Sequence, residues 1–336
     1  MDHLTYPTRA TGLLTCISFH YAESRLQYLR QTLATQPLLA DRVRVLVITN
    51  TEDPEQLGTI RACFPPATEH FSCEALPAGV LDHPFDLTWV HKKILTEVFL
   101  PDPALSHFLY LEDDLELKPE AMAYWLAARE QLRPFGLIPS FFRVERAPDS
   151  TTWRSTDQIV RVCAPLLPHV KVSPTLWFLN LPNPYQAMYL FDRELAVEHI
   201  DGPAVRKGFG RWQVRESAAQ GQTFVEVPRG FISRNAVPFD PQQNAIPQHC
   251  FVHHLPNNYA EDPSSVFGTL EMPDGLLAPM RLTAGSVLRG LIGPTAVADT
   301  IGWDGVRKLE RAVGRHIWRR IRGERDELRS TARSRA

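Results

Sequence analysis

The chain has 336 residues, of which 44% are hydrophobic and 22% charged, which is enough apolar surface for one large or two ordinary packed domains. No run reaches the roughly 18 to 20 apolar residues of a membrane-spanning helix, and residues 1–10 lack the basic start and apolar stretch of a secretory signal. We therefore expect a soluble, cytoplasmic globular protein rather than a membrane-spanning or secreted one.

Cysteine content and charge distribution narrow the possible classes of protein further. The five cysteines are scattered and form no CxxC pair, so neither a disulfide framework nor a thiolate zinc site is indicated. The net charge of −2 is unevenly distributed: residues 306–336 carry eleven Lys or Arg against four acids, which leaves 25 basic and 34 acidic residues elsewhere. The basic C-terminal segment therefore presents a different surface from the acidic body.

The first half of the chain alternates strand-like and helical patterns. Residues 12–21 (GLLTCISFHY) and 43–51 (VRVLVITNT) are apolar runs that predict buried strands. Helical patterns follow them at 23–36, where Pro37 ends the helix, and from Asp53 onward. This βαβα order is typical of a parallel sheet with helices on both faces.

Three acids follow the next predicted strand. A helical stripe over 87–100 leads into the strand 107–111 (HFLYL), and Glu112, Asp113 and Asp114 come directly after it. Ligands of open α/β sheets bind outside the carboxyl ends of the strands, so the acids are expected at the binding edge. On extended backbone, residues two apart point the same way, which predicts Glu112 and Asp114 facing one ligand and Asp113 the other side.

Carboxylates this close repel one another unless a cation lies between them. Mg²⁺ and Mn²⁺ combine a few carboxylates with phosphate oxygens, as at a site that holds a nucleoside diphosphate. A solvated acidic turn is the alternative interpretation, and the position directly after a buried strand favours the binding site.

The second half of the chain is less regular. Frequent prolines from Pro165 to Pro184 predict a long loop or lid with little structure of its own. Residues 183–200 predict a strand followed by a helix, 208–221 a glycine loop entering a helix, and 223–228 (TFVEVP) a further strand.

Residues 248–262 concentrate three histidines. On a strand, His249 and His253 share one face and His254 takes the other, which argues against a tri-histidine zinc site. His253 or His254 is a candidate ligand for a metal or a diphosphate, with a structural histidine as the alternative, and the sequence gives no basis for choosing between the two.

The ordered set of these motifs resembles a known family. The triplet EDD after FLYL, between an HKK helix and a PEAMAYW helix, resembles the DxD region of the GT-A glycosyltransferases, which are nucleotide-sugar-dependent enzymes with a Rossmann-like sheet. The resemblance continues through a YQAMYLFD strand, an acid at a helix start and the late histidines, covering about residues 12–262. It implies an α/β fold with a mostly parallel central sheet: a single GT-A domain over 1–270, with a donor half at about 12–120 and an acceptor half at about 121–262, and a helical basic extension over 271–336.

The resemblance also implies site residues. Asp114 takes the position of the family's metal ligand for Mn²⁺ or Mg²⁺, Glu112 a position near the ribose or metal, and Asp113 a position near the donor sugar. His253 or His254 corresponds to the late histidine of the family.

Glu216, in RWQVRESAAQG, resembles the catalytic base of inverting members, which deprotonates an acceptor hydroxyl as it attacks the anomeric carbon. Many relatives have two acids there, whereas this chain has Arg215 and Glu216. A first-turn residue favoured by the helix dipole is the alternative.

Other candidates are placed by position. The residues expected near the nucleotide are Ser18, His20, Tyr21 and Arg25. His91 and Lys92, on the helix before the acidic strand, are expected near the diphosphate, where a lysine offsets the departing charge, with a solvated helix face as the alternative. Arg143 and Glu145 share one side of a predicted strand and are candidates for acceptor binding, with a surface ion pair as the alternative.

The predicted function is transfer of a hexosyl or N-acetylhexosaminyl group from a nucleoside-diphosphate sugar, with UDP expected as the nucleotide, to a glycan or lipid-linked glycan in polysaccharide biosynthesis. Inversion is expected, and retention remains open. A metal-dependent nucleotidyltransferase or hydrolase with the same acids is one alternative, and it would need an activating lysine or a water-positioning base. A non-catalytic glycan-binding module is the other.

The basic segment predicts an amphipathic helix with Trp318 as an interfacial anchor, which suits an anionic membrane surface and peripheral attachment at the inner face of the membrane. Packing on the domain or on a second subunit is the alternative, and the oligomeric state is open. Nucleic acid is not expected, because no nucleic-acid motif accompanies the basic patch.

Overall fold

The computed structural model describes residues 9–146 and 151–272. The predicted basic helix and its membrane contact lie outside the described residues. The strands of the described part are β1 Ala10–Phe19, β2 Ala40–Thr49, β3 Phe71–Pro77, β4 His107–Glu112, β5 Leu115–Glu116, β6 Ile138–Pro139, β7 Phe142–Arg146, β8 Trp153–Ser155, β9 His169–Ser173, β10 Leu176–Leu179, β11 Met188–Asp192, β12 Asn235–Phe239, β13 Phe251–His254 and β14 Leu270–Met272.

Helices connect most of these strands. The α-helices of the described part are α1 Leu26–Thr35, α2 Pro54–Arg61, α3 His91–Ile94, α4 Pro119–Leu132, α5 Arg193–Asp201, α6 Val214–Ala218 and α7 Asn258–Glu261. The predicted helix over 87–100 is a run of three helical types, with a 3₁₀ segment at Pro84–Trp89, then α3, then a π-helical segment at Leu95–Phe99. A helix of bilayer-crossing length and hydropathy is not found in the described part of the chain.

The central sheet has the strand order β11-β4-β1-β2-β3. Its first four strands in chain order run parallel to their neighbours, whereas β11 runs antiparallel to β4. The prediction of an α/β fold with a mostly parallel central sheet is therefore confirmed, and the arrangement is compatible with a Rossmann-like fold.

Burial on both faces explains why the first strands were recognisable. β1 is buried along nearly its whole length, and the carboxyl half of β2 is equally buried, so both sequences are continuous apolar runs. α1 covers the sheet with Leu26, Leu29 and Leu33. α2 begins at Pro54 after Asp53, whose carboxylate accepts a hydrogen bond from the backbone N–H of Gln56.

Two predictions for the second half are wrong. The segment from Pro165 to Pro184 contains the hairpin β9–β10, because its prolines flank the strands or occupy the turn at Pro174 instead of interrupting them. Residues 223–228 form turns rather than a strand: Glu226 has a left-handed φ of 47°, and Pro228 has no N–H for a ladder.

Two smaller sheets complete the fold. β6-β12-β10-β9 form one, and β14-β8-β7-β13-β5 form the other. In the second, β13 pairs in parallel with β7 and antiparallel with β5, the short strand that follows the three acids. The carboxyl end of β13 therefore lies beside the carboxyl end of β4.

Candidate active site

The three predicted acids lie at the carboxyl edge of the central sheet. Glu112 is the last residue of β4 and stands in register with Ser18 of β1. Asp113 and Asp114 form the turn that leads into β5, and both are buried. Because this is the edge at which ligands of parallel sheets bind, the acids have the position that the sequence predicted.

Arg25 bridges the two aspartates. Its Nε and Nη2 donate to the two oxygens of Asp113 at 2.9 and 2.7 Å, and Nη2 also donates to Asp114 Oδ2 at 2.8 Å. The prediction that Asp113 points away from Asp114 is wrong, because the backbone leaves the extended conformation after Glu112 and enters a turn. Arg25, expected near the nucleotide base, is instead the counter-ion of the acidic cluster.

One histidine of the late cluster faces the acids. The Nε2 atom of His254 lies 3.5 Å from Asp114 Oδ2, and the backbone N–H of Leu255 donates to the carbonyl of Asp114 at 2.9 Å. His253 points to the other side of β13, where its ring lies 3.0 Å from Asn257 Oδ1 and 3.8 Å from Glu116 Oε2. The strand alternation that left the choice open therefore places His254, and not His253, at the acids.

Arg143 and Glu145 are buried, so the alternative of a surface ion pair is wrong. β7 lies between β8 and β13, which covers both side chains. Arg143 donates to both oxygens of Asp157, at 3.0 and 2.7 Å, and still lines the cleft described below. Glu145 is fully buried and bonded to His254, so its predicted contact with an acceptor is wrong.

His91 and Lys92 are buried in the core, where neither a diphosphate contact nor a solvated face is possible. α3 turns them toward the central sheet. The Lys92 Nζ atom donates to Tyr189 Oη at 3.2 Å and lies 2.8 Å from His199 Nε2, while the His91 ring stacks on Tyr110 at 3.7 Å. Burial lowers the pKa of Lys92 and of His91 well below their usual values.

The acids open into a cleft with a volume of about 940 Å³. The cleft brings together predicted residues from distant parts of the chain: Ser18, His20, Arg25, Glu112, Asp113, Asp114, Arg143, Arg215, Glu216 and His254. Glu216 is half-buried in the first turn of α6 and accepts a hydrogen bond from Arg215 Nη2 at 3.1 Å. It lines the same cleft as the three acids.

Sequence reasoning missed part of the cleft wall. Asp157, Tyr185 and Trp212 also line it, with the Tyr185 and Trp212 rings 4.9 Å apart in an edge-to-face arrangement. Trp212 lies in the glycine-rich segment GFGRW, just before Glu216, and the sequence motif points to Glu216 and not to the tryptophan. Asp157 belongs to no motif and is brought to the cleft by its pair with Arg143.

The three acids of the cluster differ in the direction of their pKa shifts. Burial, reinforced by the charge of Asp114, raises the pKa of Asp113 to about 7 against the opposing effect of Arg25. Burial and Asp114 also raise the pKa of Glu112. Burial acts to raise the pKa of Asp114 too, but hydrogen bonds and charges from His254 and Arg25 outweigh it, so this pKa lies below its usual value. Asp114 is therefore the carboxylate of the cluster held most firmly in its ionised form.

Three side chains at this edge are of the types that bind a hard divalent cation. Glu112 Oε1 and Asp114 Oδ1 are buried atoms without a hydrogen-bond partner, and His254 Nε2 faces the same aspartate. Carboxylate oxygens with one imidazole suit Mn²⁺ or Mg²⁺. Within residues 9–146 and 151–272, no group of three or more potential ligands is gathered closely enough to hold a metal as it stands. Arg25 neutralises the aspartates instead, so cation binding requires a rearrangement of Arg25.

No protein-family model matches the chain, and no curated protein matches its sequence. Function therefore has to be inferred from the chemistry of the cleft.

Proposed function

We propose that the protein is a metal-dependent glycosyltransferase of the GT-A type, which moves a sugar from a nucleoside-diphosphate sugar to a hydroxyl group of a glycan or lipid-linked glycan. One observation carries the proposal: Glu112, Asp114 and His254 line one large cleft, at the carboxyl edge of the central sheet. A volume of about 940 Å³ suits a nucleotide sugar, since small-molecule sites commonly measure about 300 to 1,000 Å³.

The acidic edge is assigned to the diphosphate end of the donor. Asp114, Glu112 and His254 Nε2 are the residues that would hold Mn²⁺ or Mg²⁺. When bound, the cation supplies charge stabilisation to the departing diphosphate. Ser18, His20 and Arg25 line the same cleft from the β1 side and are assigned to the nucleotide. Arg25, once released from the aspartates, is a cation within reach of phosphate oxygens.

Glu216 is assigned to the acceptor. It comes from α6, separate from the acidic edge, and its half-buried carboxylate borders the cleft. A carboxylate in that place can accept the proton of the attacking hydroxyl while the glycosidic bond to the diphosphate breaks, which inverts the anomeric centre if the attack is in line. Tyr185 and Trp212 supply apolar ring surface beside it, a surface suited to the C–H face of a sugar.

The two rival functions make different demands on the cleft. A nucleotidyltransferase or hydrolase with the same acids needs an activating lysine or a water-positioning base. None of the described residues that line the cleft is a lysine, whereas Glu216 could position water, so the reaction product separates a hydrolase from the transferase. A glycan-binding module has no use for buried carboxylate oxygens that lack partners, because such atoms are costly unless a cation or proton satisfies them.

The proposal is tested by thermal unfolding of the wild type and of Asp114→Asn with UDP, GDP, CDP and CMP, each with Mn²⁺ and with EDTA. One diphosphate should stabilise the wild type by about 2.7 kcal/mol at ~100 times its dissociation constant, only with Mn²⁺, and should fail to stabilise Asp114→Asn. Asp41→Asn is the matched control, because Asp41 is exposed and lies at the amino end of β2. Unchanged melting temperatures with every nucleotide at saturation would contradict the proposal. Hydrolysis of the sugar nucleotide to nucleoside monophosphate and sugar 1-phosphate, without transfer to a glycan, would favour the hydrolase.

A further inference from the structure

We propose that Arg143 and Asp157 bind the hydroxyl groups of the transferred sugar, and that this subsite takes an uncharged pyranose and rejects one that carries a carboxylate. The inference rests on the proposed function and deepens it, because it names the class of sugar that the cleft accepts. Arg143, which the sequence predicted for the acceptor, is thereby assigned to the donor.

Arg143 and Asp157 form a buried ion pair in the wall of the cleft. Their side chains are 7% and 10% exposed, and Nε and Nη2 of Arg143 donate to the two oxygens of Asp157 at 3.0 and 2.7 Å. Asn183 Nδ2 donates to the Asp157 carbonyl at 3.1 Å, and the guanidinium carbon of Arg143 lies 5.1 Å from the centre of the Tyr185 ring. The pair is therefore held in one orientation before a ligand binds.

The pair keeps hydrogen-bonding capacity for a ligand. Nη1 of Arg143 has no hydrogen-bond partner among the described residues, although the side chain is more than nine-tenths buried and lines the cleft. Each oxygen of Asp157 accepts one hydrogen bond from Arg143 and has a second lone pair. A donor and an acceptor side by side match two neighbouring hydroxyls of a pyranose, one of which accepts while the other donates.

The pair lies near both the acidic edge and the base. Burial and Asp114 raise the pKa of Glu112, whereas the charges of Arg215 and Arg143 lower it, so both guanidinium groups lie close to Glu112. Arg215 in turn donates to Glu216 at 3.1 Å. In the proposed reaction the anomeric carbon has to lie between the diphosphate at the acids and the base at Glu216. The sugar ring attached to it is therefore beside Arg143.

The charge of the pair decides which sugars fit. Asp157 already neutralises Arg143 through two hydrogen bonds, so the subsite offers no net positive charge to a carboxylate. A carboxylate on the sugar ring would also lie close to Asp157, and like charges repel strongly at a buried site. Tyr185 and Trp212 border the same space with ring surface, which suits the C–H face of an uncharged sugar. The subsite therefore selects a neutral hexose or N-acetylhexosamine.

A purely structural role is the competing explanation, in which the pair only ties β7 to the segment after β8. The test is titration calorimetry with Mn²⁺ and without acceptor, on UDP and on two matched pairs of sugar nucleotides: UDP-glucose with UDP-glucuronate, and UDP-galactose with UDP-galacturonate. The members of each pair differ only in the carboxylate. We expect the wild type to bind the neutral member of a pair at least about 10-fold more tightly than the acidic one.

Asp157→Asn tests the residues themselves. The variant keeps the size of the side chain and an oxygen that accepts from Arg143, but it leaves the guanidinium charge uncompensated. The preference for the neutral sugar should shrink or reverse, while the affinity for UDP itself should change by no more than about twofold. Asp192→Asn is the matched control, because its pair with Arg129 is similarly buried and neither residue is among the described residues that line the cleft. Its preference should equal that of the wild type.

Equal affinities for the neutral and acidic sugar nucleotides in the wild type, or an unchanged preference in Asp157→Asn, would overturn the inference. Binding of UDP with Mn²⁺ would leave the proposed function intact in both cases. If Asp157→Asn does not fold, the wild-type ratios decide, because they need no variant. If the nucleotide screen selects GDP, the matched pair is GDP-mannose with GDP-mannuronate. A wild type that binds no nucleotide would remove the proposed function and the subsite together.

Discussion

At the scale of single residues, Arg25 is the counter-ion of the three acids at the sheet edge. Its guanidinium contacts Asp113 and Asp114 together and offsets the repulsion between them. In the proposed cation site, a cation bound at Asp114 would offset the same repulsion in place of the Arg25 guanidinium. Removing the guanidinium should therefore matter most when no cation is present.

We predict that Arg25→Gln lowers the free energy of unfolding in EDTA by about 1 to 2 kcal/mol, a figure reduced for the partial exposure of Arg25. Saturating Mn²⁺ should remove most of that loss, because it neutralises the same carboxylates. The measurement is urea unfolding of both proteins with EDTA and with Mn²⁺. Arg44→Gln is the control, since its pair with Glu74 is exposed and should be worth under about 1 kcal/mol in either condition. An equal loss of unfolding free energy in EDTA and in Mn²⁺ would contradict the idea that a cation takes over the role of Arg25.

Glu216 carries the second residue-scale prediction. Glu216→Gln keeps the size of the side chain and removes the base, so we expect kcat for sugar transfer to fall by about 10²- to 10⁴-fold. Nucleotide affinity should be unchanged, because Glu216 is assigned to the acceptor. Steady-state kinetics and nucleotide titration measure the two effects. Glu130→Gln, on the exposed face of α4, is the control. A fall of threefold or less would exclude Glu216 as the base.

At the scale of elements, β1 brings Ser18 to the cleft and holds the register that ends at Glu112. Gly12 lies near its start, and a Cβ there would come within 2.1 Å of the Ala104 carbonyl oxygen. The loop before β4 thus packs directly on the β1 backbone, where Ser106 also hydrogen-bonds to Gly12. The seam between β1 and β4 has no room for a side chain.

We predict that Gly12→Ala lowers the free energy of unfolding by about 2 to 3 kcal/mol, because backbone must move to admit the methyl group. Gly58→Ala is the matched control: Gly58 lies in α2 with open space around it, so alanine should raise stability by up to about 1 kcal/mol. Urea unfolding measures both. A Gly12→Ala protein as stable as the wild type would show that the Ala104 backbone can move away from Gly12 at little cost in free energy.

Elements with a local cause were predictable from the sequence. β1 and β2 were recognisable because burial on both faces leaves an uninterrupted apolar run, and Asp53 marked the start of α2 by capping it. The hairpin β9–β10 was not, because prolines that flank strands and prolines that break them give similar local sequences. Nor does a short apolar run such as 223–228 reveal the left-handed φ of Glu226.

The site residues likewise divide into those with a local sequence signal and those that only the fold brings together. The acids were found because the carboxyl end of a buried strand is a local feature, and the Arg25 bridge was missed because its geometry comes from a turn. Lys92 was misplaced because its sequence does not tell a helix face turned to the core from one turned to a cleft. Glu145 differs from a surface acid only through burial of β7 between two other strands.

At the scale of the whole molecule, buried titratable groups give stability opposing dependences on pH. Burial lowers the pKa of His91 and His199 well below 6.5, and that of His107 to about 4. Below pH 6.5 the unfolded chain binds more protons at these positions, so they make the protein less stable as the pH is lowered. Burial raises the pKa of Asp113 to about 7, so below that pH its folded state binds more protons and stability rises. The wild-type profile is the sum of both trends.

His91→Phe isolates one of the histidine contributions. Neither ring nitrogen of His91 has a hydrogen bond of ordinary geometry, and the ring stacks on Tyr110, so phenylalanine retains the ring contact without a titrating group. We predict that the stability difference between variant and wild type is constant above pH 6.5 and grows in favour of the variant below it. The slope should approach about 1.4 kcal/mol per pH unit, the value for one proton.

Urea unfolding in EDTA from pH 8 to pH 5 measures this slope. The offset at pH 8 reports how well the larger ring packs, and the slope reports the proton, so imperfect packing does not obscure the result. His70→Phe is the control, because His70 is exposed at the surface. Parallel profiles for His91→Phe and the wild type would mean that His91 takes up its proton in the folded state, which its burial between α3 and the central sheet opposes.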